Sequence, residues 1–496
     1  MPVAGLVYGH AHCPARAMAR PAAYRAAVLA ALCAGCGPAA GDPSPPWMPD
    51  AAARHRLELL VDDAGLELPL THWPLPRRAV EDALDTLPGG LTPPLADARR
   101  QLEQDLRAQE RSGFTLRLRG RDETLSGFGD DATAGSGIAV RSGTLATPQM
   151  ALQAGARLDA RPGASGVKLR PEGTALATEV LGVQLQAWSH RSWWGPGWQD
   201  SLVLGGNAPA FDGIGLQRAG AGRSASRWLS WLGPWTFEFF VAQAEGGSHA
   251  IFVGNRVTAR PLPLLEIGLT RTAQWGGTAH PETLTSFTRM LFGIGVNANA
   301  PDQAANDPGN EMAGFDVRLR CPGGRRCAAY AQAIGEDATR HVPSRFLGLY
   351  GLESWSSDGR QRWFAEFAET VCGAVLAHHP LRPCAYRNYA YPEGYTHAAR
   401  WIGAAAGPDS RVLTLGWLDA ARGTSLRLHD GRVGSRIGSF TPDPNDPRSS
   451  GRLVGVAARQ EFRWTGMRVT AELDWLRVRA PDGDRTEARV GATLRF

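Results

Sequence analysis

Lysine is all but missing from this chain. Lys168 is the single example among 53 basic residues, so nearly every cation is an arginine. No stretch couples clustered basic residues to a recognisable nucleic-acid motif, which argues against nucleic acid as a partner. Charged residues make up only 20% of the chain against 43% hydrophobic, and the net charge is +5, which excludes a disordered polyelectrolyte. Long apolar runs are missing too. The most apolar stretch near the start, "AAVLAALCAGCGPAA" (26–40), is too short for a membrane-spanning helix. Arg16, Arg20 and Arg25 precede it and "GDPSPPW" follows, so residues 1–40 read as a secretory signal peptide. Counting from Met18 gives a leader of more ordinary length, and Cys36 is a candidate lipidation position.

Standard catalytic signatures are also absent. There is no G-x-S-x-G elbow, no H-E-x-x-H and no phosphate-binding loop. "ESWSSDG" (353–359) sets Ser beside Asp, and His341 or His397 could complete a triad only if the fold brought them there. The reading is therefore no enzyme and no cofactor. No metal site is expected either, because His378, His379 and the cysteines lack zinc spacing. Of 7 cysteines, Cys13, Cys33 and Cys36 fall in the leader. Cys321, Cys327, Cys372 and Cys384 allow three pairings. Local bridges, 321 with 327 and 372 with 384, are expected, since each pair brackets Pro and Gly between β-like runs.

What is present changes period at about residue 113. Residues 41–112 carry helical spacing in three short pieces: Leu57, Leu60 and Val61; Val80, Leu84 and Leu87; and Leu95, Ala98, Leu102 and Leu106. Helices this short need something larger to pack on. From Phe114 the period is two. "FTLRLR", "LGVQLQAW", "GFDVRLR" and "MRVTAELDW" alternate apolar with polar or charged residues, and the parity slips at Leu476, which predicts a bulge or strand end. The last residues, "RTEARVGATLRF", alternate to the end and stop on Phe496.

The polar face of these strands is too charged, and the apolar face too often aromatic at strand ends, for a soluble sandwich. A transmembrane antiparallel β-barrel explains both, with lipid outside, polar groups inside and aromatics at the interfaces. At about 20 residues per strand and connection, 113–496 closes with roughly 18 strands. Residues 158–173, 297–314, the Cys372–Cys384 loop and 429–451 read as long polar loops. Asp316, Glu336, Asp337, Glu366 and Glu369 are expected to pair with arginines across the interior. The clusters "HRSWWGPGW" and "NYAYPEGY" supply Trp193, Trp194, Trp198, Tyr389, Tyr391 and Tyr395, whose rings could stack on sugar C–H faces.

These residues resemble the capsule assembly Wzi family of bacterial outer-membrane proteins. The similarity runs through "PWMPDAAARHRLELLVDDAGLELPLTHWPLP" (46–76), "WLGPWTFEFFVAQAEG" (231–246) and "VTARPLPLLEIGLTRTAQWGG" (257–277). It continues in "AGFDVRL" (313–319), "YAQAIGED" (330–337), "WFAEFAET" (363–370) and "NYAYPEGYTHAARWIGAAAGPDS" (388–410). The resemblance implies an outer-membrane barrel of about 18 strands, with helices 41–112 as a periplasmic plug. It implies a lectin-like role in holding capsular polysaccharide at the surface, with outer-membrane lipid around the wall. A terminal strand ending on Phe496 would serve the barrel assembly machinery as its signal. A porin-type diffusion channel is the alternative on the same fold. The two cysteine loops and the prolines near 441–448 are particular to this chain.

Overall fold

In the computed structural model the alternating segments form one sheet that meets itself. The last strand, Gly483–Arg495, pairs antiparallel with the first, Gly113–Arg119, setting Ala492 opposite Leu118 and Leu494 opposite Leu116. The structure describes residues 42–120, 124–131, 135–160, 167–278, 280–293, 309–339, 342–373, 384–388, 391–434, 451–480 and 483–496. The leader 1–40 with Cys36, and also His341, His378, His379 and Tyr389, lie outside the described residues. Among the described residues the sheet has 21 segments. Interruptions at 142–144, 154 and 171–174 each cut one wall strand in two, and joining those halves leaves 18 strands around the ring. A closed ring leaves no unpaired edge, which a bilayer would not tolerate.

The wall is inside out relative to a soluble protein. Leu352 (65% exposed), Val490 (67%) and Leu118 (51%) face outward, with Phe315, Leu415 and Leu428 on the same surface. Arg256, Glu238, Arg362, Glu366, Asp474 and Arg489 are buried inside. Aromatics mark the end at which the barrel's two termini lie. Phe496 and Phe114 pack with ring centres 5.5 Å apart, and Trp228, Trp231 and Trp464 are exposed. That is the girdle expected where hydrocarbon gives way to water.

Three helices, α1 (Ala51–Asp63), α2 (Arg77–Asp85) and α3 (Pro93–Glu110), fill this end. The Asp50 side chain caps α1 by accepting from the Ala53 amide at 2.8 Å. The apolar stripes predicted for the three helices meet in one cluster: Leu57, Leu60, Val61, Val80, Leu84, Leu87, Ala98, Leu102 and Leu106. A second stripe of α1 is charged and equally buried. Arg54, Glu58 and Asp62, spaced by four, lie along one face. Asp62 and Glu58 bind the wall arginines Arg318 (2.6 Å) and Arg362 (2.7 Å), which also hold Glu353. The helices therefore pack on one another through leucines and on the barrel's inner wall through salt bridges and through Leu59, which meets Ala328 and Trp355.

Four readings of the sequence need adjustment. Met467–Ala480 runs through Leu476 in unbroken register, with no bulge. The parity slips because the interior itself turns apolar there: Leu476 and Val478 join Val412, Val433 and Leu453 in a buried cluster. The loop read over 297–314 gives way at Gly309, where pairing with Leu265–Trp275 overrides the turn-forming composition. The loops read from 158 and from 429 likewise start too early, since Gly155–Ala160 and Thr424–Val433 remain strand. Cys321–Cys327 and Cys372–Cys384 pair locally, with Cα atoms 5.3 and 5.8 Å apart. They sit at opposite ends of the barrel, the first on a turn at the helix end, so only the second borders a loop at the far end.

Candidate functional site

Two connections at the far end fold into the lumen instead of standing above it. The first, residues 191–210, follows the strand Val183–His190. Its Trp193 and Trp194 pair with Trp73 and His72, so the chain preceding the barrel meets it inside. It then turns tightly around one carboxylate. The amides of Trp198, Gln199 and Asp200 donate to Glu366 at 2.7, 3.2 and 2.7 Å, and the Tyr330 hydroxyl adds a fourth hydrogen bond at 2.8 Å. Gly197 makes the turn possible, because a Cβ there would lie 2.1 Å from the Asp200 carbonyl oxygen. Arg54 of α1 holds the same turn from below, donating to the Pro196 and Gly197 carbonyls at 2.7 Å each.

The second connection, residues 384–410, locks onto the first. The Tyr386 hydroxyl donates to the Leu202 carbonyl at 2.7 Å, and the Tyr395 hydroxyl donates to that of Val203 at 2.8 Å. The Ala405 amide donates to Asp200 Oδ1 at 2.9 Å, and Arg400 donates to the Asn207 carbonyl at 2.7 Å. The Tyr386 amide donates to Glu336 at 2.6 Å. Burial, with the Glu366 carboxylate close by, pushes Asp200 up to about 7.

The aromatic candidates are the pins of this assembly. Trp194, Trp198 and Tyr395 share one buried cluster with Leu202, Tyr386 and Trp401. Trp198 lies against the Arg54 guanidinium at 4.1 Å and donates through its indole N–H to Glu353 at 2.7 Å. Trp193 packs edge-on to Phe128 at 5.3 Å, in the helix cluster. Tyr391 stands apart beside His280 at 4.8 Å, its hydroxyl donating to the Gly276 carbonyl. Each of these five is 4% exposed or less, and its ring is occupied by protein partners. The strand acids divide. Asp316 pairs with Arg256 (2.6 Å) in the interior, as expected, whereas Glu369 pairs with Arg411 (2.5 Å) on the outward face of the wall and not across the interior. Glu336 and Glu366 hold the folded-in loops instead. Asp337's side chain lies outside what is described.

A charged cluster at the far end joins the half-buried Lys168 and Glu245 to the buried Arg170. Lys168 and Arg170 project inward at the mouth and both bind Glu245, Arg170 at 2.6 Å. Burial would raise Glu245, yet Lys168 and Arg170 outweigh it and hold the carboxyl at about 2. The one signal in the sequence that points to this cluster is the rarity of lysine, since Lys168 is the chain's single example. Among the described residues the triad candidates stay apart. Ser356 and Asp358 occupy a turn at the helix end, whereas His397 is buried at the far end, bound to Ala210 and Glu245 backbone.

The capsule assembly protein Wzi family model matches residues 113–491. A 55.8 kDa protein from the cps region of Klebsiella pneumoniae is 28% identical over 337 residues, which are 65% of this chain and 64% of that relative. The match thus spans less than two thirds of the relative's length. The fold is similar to that of Wzi from Escherichia coli, an outer-membrane, carbohydrate-binding β-barrel involved in group 1 capsule assembly. The TM-score is 0.77 at 22% identity, over 91% of this chain and 99% of that one. Pseudomonas aeruginosa OpdL superposes more loosely, with a TM-score of 0.40 at 12% identity over 78% and 96% of the two chains. With a closed barrel, a filled lumen and a family match along the whole wall, this chain belongs to the capsule assembly protein Wzi family.

Proposed function

We propose that this protein sits in the bacterial outer membrane and holds capsular polysaccharide at the cell surface. The observation carrying this reading is the family match over 113–491 combined with the pinned lumen. In this reading residues 1–40 direct export, 41–112 plug the periplasmic end, and 113–496 form the barrel. Outer-membrane lipid surrounds the wall, and Phe496 addresses the barrel assembly machinery. The polymer is read at the far end. Trp193, Trp194, Trp198, Tyr391 and Tyr395 serve that site by fixing the two inward loops, while Tyr389 remains a candidate for direct stacking. Lys168, Arg170 and Glu245 offer charged donors and an acceptor to sugar hydroxyls and carboxylates at the mouth.

Deleting the gene and quantifying cell-bound and released capsule separately tests the reading. Capsule should shift from cells to medium, and unchanged retention would overturn the role. A diffusion channel is the competing use of this fold. Arg54, Arg362, Trp194 and Trp198, buried among segments that cross the lumen, oppose it. Large, steady single-channel currents from the purified protein would reinstate it.

A further inference from the structure

Outside the barrel, just beyond the apolar belt at the loop end, four arginines stand side by side. Arg411 is register partner of Arg432, Arg432 of Arg452, and Arg452 of Arg479, so the row crosses four consecutive strands without a gap. All four point outward. Their neighbours Val412, Val433, Leu453 and Val478 are buried in one interior cluster, while Leu413, Leu428 and Val454 continue the arginines' face toward the belt. Strands lie about 4.8 Å apart, so the row is about 14 Å long.

Like charges directly opposite one another oppose sheet pairing. The acids nearby offset them only in part. Glu369 binds Arg411, Asp430 binds Arg452 at 3.2 Å, and Asp484 is shared between Arg477 (2.5 Å) and Arg479 (3.9 Å). Arg432, in the middle of the row, is exposed and has no ion-pair partner among the described residues. Arg452 and Arg479 side chains are each 64% exposed. Five outward arginines face three carboxylates, leaving the patch positive.

We propose that this row binds the phosphate groups of outer-leaflet lipid, whose acyl chains lie along Leu413, Leu415, Leu428 and Val454 below it. Guanidinium forks match phosphate oxygens two at a time, which a row of ammonium groups would not do. The position selects lipid over polymer: the side chains leave the wall laterally, at the level where apolar residues stop, and not from the mouth. The inference rests on the barrel crossing a bilayer and is independent of the saccharide reading.

The test uses the full chain, purified folded in detergent and titrated with phosphatidic acid or phosphatidylcholine, with bound lipid counted by native mass spectrometry. Wild type should retain phosphatidic acid preferentially. The double variant Arg432→Gln/Arg479→Gln should bind it at least about tenfold more weakly, with phosphatidylcholine unchanged. Arg360→Gln, at the opposite end, should behave as wild type. Heat-modifiable gel mobility reports folding, and the single variant Arg432→Gln, which breaks no ion pair, covers a misfolded double. Equal phosphatidic acid binding by wild type and variants overturns the proposal. So does inorganic phosphate binding as well as the lipid, or a loss confined to polygalacturonate binding, which would assign the row to an acidic polymer.

Discussion

The backbone amide of Asp200 donates to Glu366 Oε1 at 2.7 Å, while the Asp200 carboxylate accepts from Ala405 2.9 Å away. One residue thus ties the first inward loop to the wall and the second loop to the first. Replacing Glu366 by Gln keeps the shape but turns one acceptor into a donor facing N–H groups. We expect a loss of roughly 1–3 kcal/mol, read as a lower unfolding temperature, and faster proteolysis within 191–210. Unchanged protease resistance would show that the turn holds without the carboxylate.

Asp200 also makes a pH prediction. Its carboxyl is raised to about 7 when folded, against 3.8 for the free group. The folded state therefore keeps a proton that the unfolded state loses. This contribution is complete below about pH 4 and fades as pH rises to about 7. His55, lowered to about 3 by burial and then by Arg362, and His397, lowered to about 4 by burial, act oppositely and favour the folded state as pH rises through the unfolded histidine range. The difference between wild type and Asp200→Asn isolates the aspartate. The variant should gain stability relative to wild type between pH 5 and pH 8, by melting at both values. A constant difference would place the proton elsewhere.

Pins and contacts should separate experimentally. Trp194→Ala removes a fully buried ring that packs on Phe240 at 5.4 Å and should cost roughly 3–5 kcal/mol. Lys168→Ala with Arg170→Ala strips Glu245 of both cations, so melting should fall, but by less than for Trp194→Ala, and capsule should pass into the medium. Retained capsule in that double variant would move the binding surface away from the mouth.

Removing Phe496 deletes the ring against Phe114 and the amide that donates to the Phe114 carbonyl at 2.9 Å. Surface levels should fall several-fold, while the molecules that do insert bind polysaccharide normally. Equal surface abundance, measured by labelling intact cells, would contradict an assembly role for this end.

The wall was legible because alternation is a local property. "RVGATLRF" and "FTLRLR" announce their faces one residue at a time, and the two proved to be neighbours. The helices were legible for the same reason. Glu366 was not, since nothing in "WFAEFAET" says that a loop 166 positions earlier will wrap its amides around that carboxylate. The tryptophans misled in a different way. Sequence reveals that a cluster such as "SWWGPGW" is apolar and turn-rich, but whether it stands in solvent or folds inward depends on partners such as Arg54 and Gln332 on distant segments. Leu476 shows the limit of pattern itself, because its parity changed when the chemistry of the interior changed and the backbone did not.

The inside-out wall carries a consequence for how such a protein can vary. An outward residue such as Leu415 needs only to be greasy, so many neighbours in chemical space would serve. An inward one such as Arg362 must satisfy Glu58, Glu353 and His55 at once, and few exchanges would. In soluble proteins the oily centre is guarded and the polar skin drifts. Here the drifting surface is the oily one, and lineage after lineage should rewrite its hydrophobic letters while copying its arginines and glutamates faithfully.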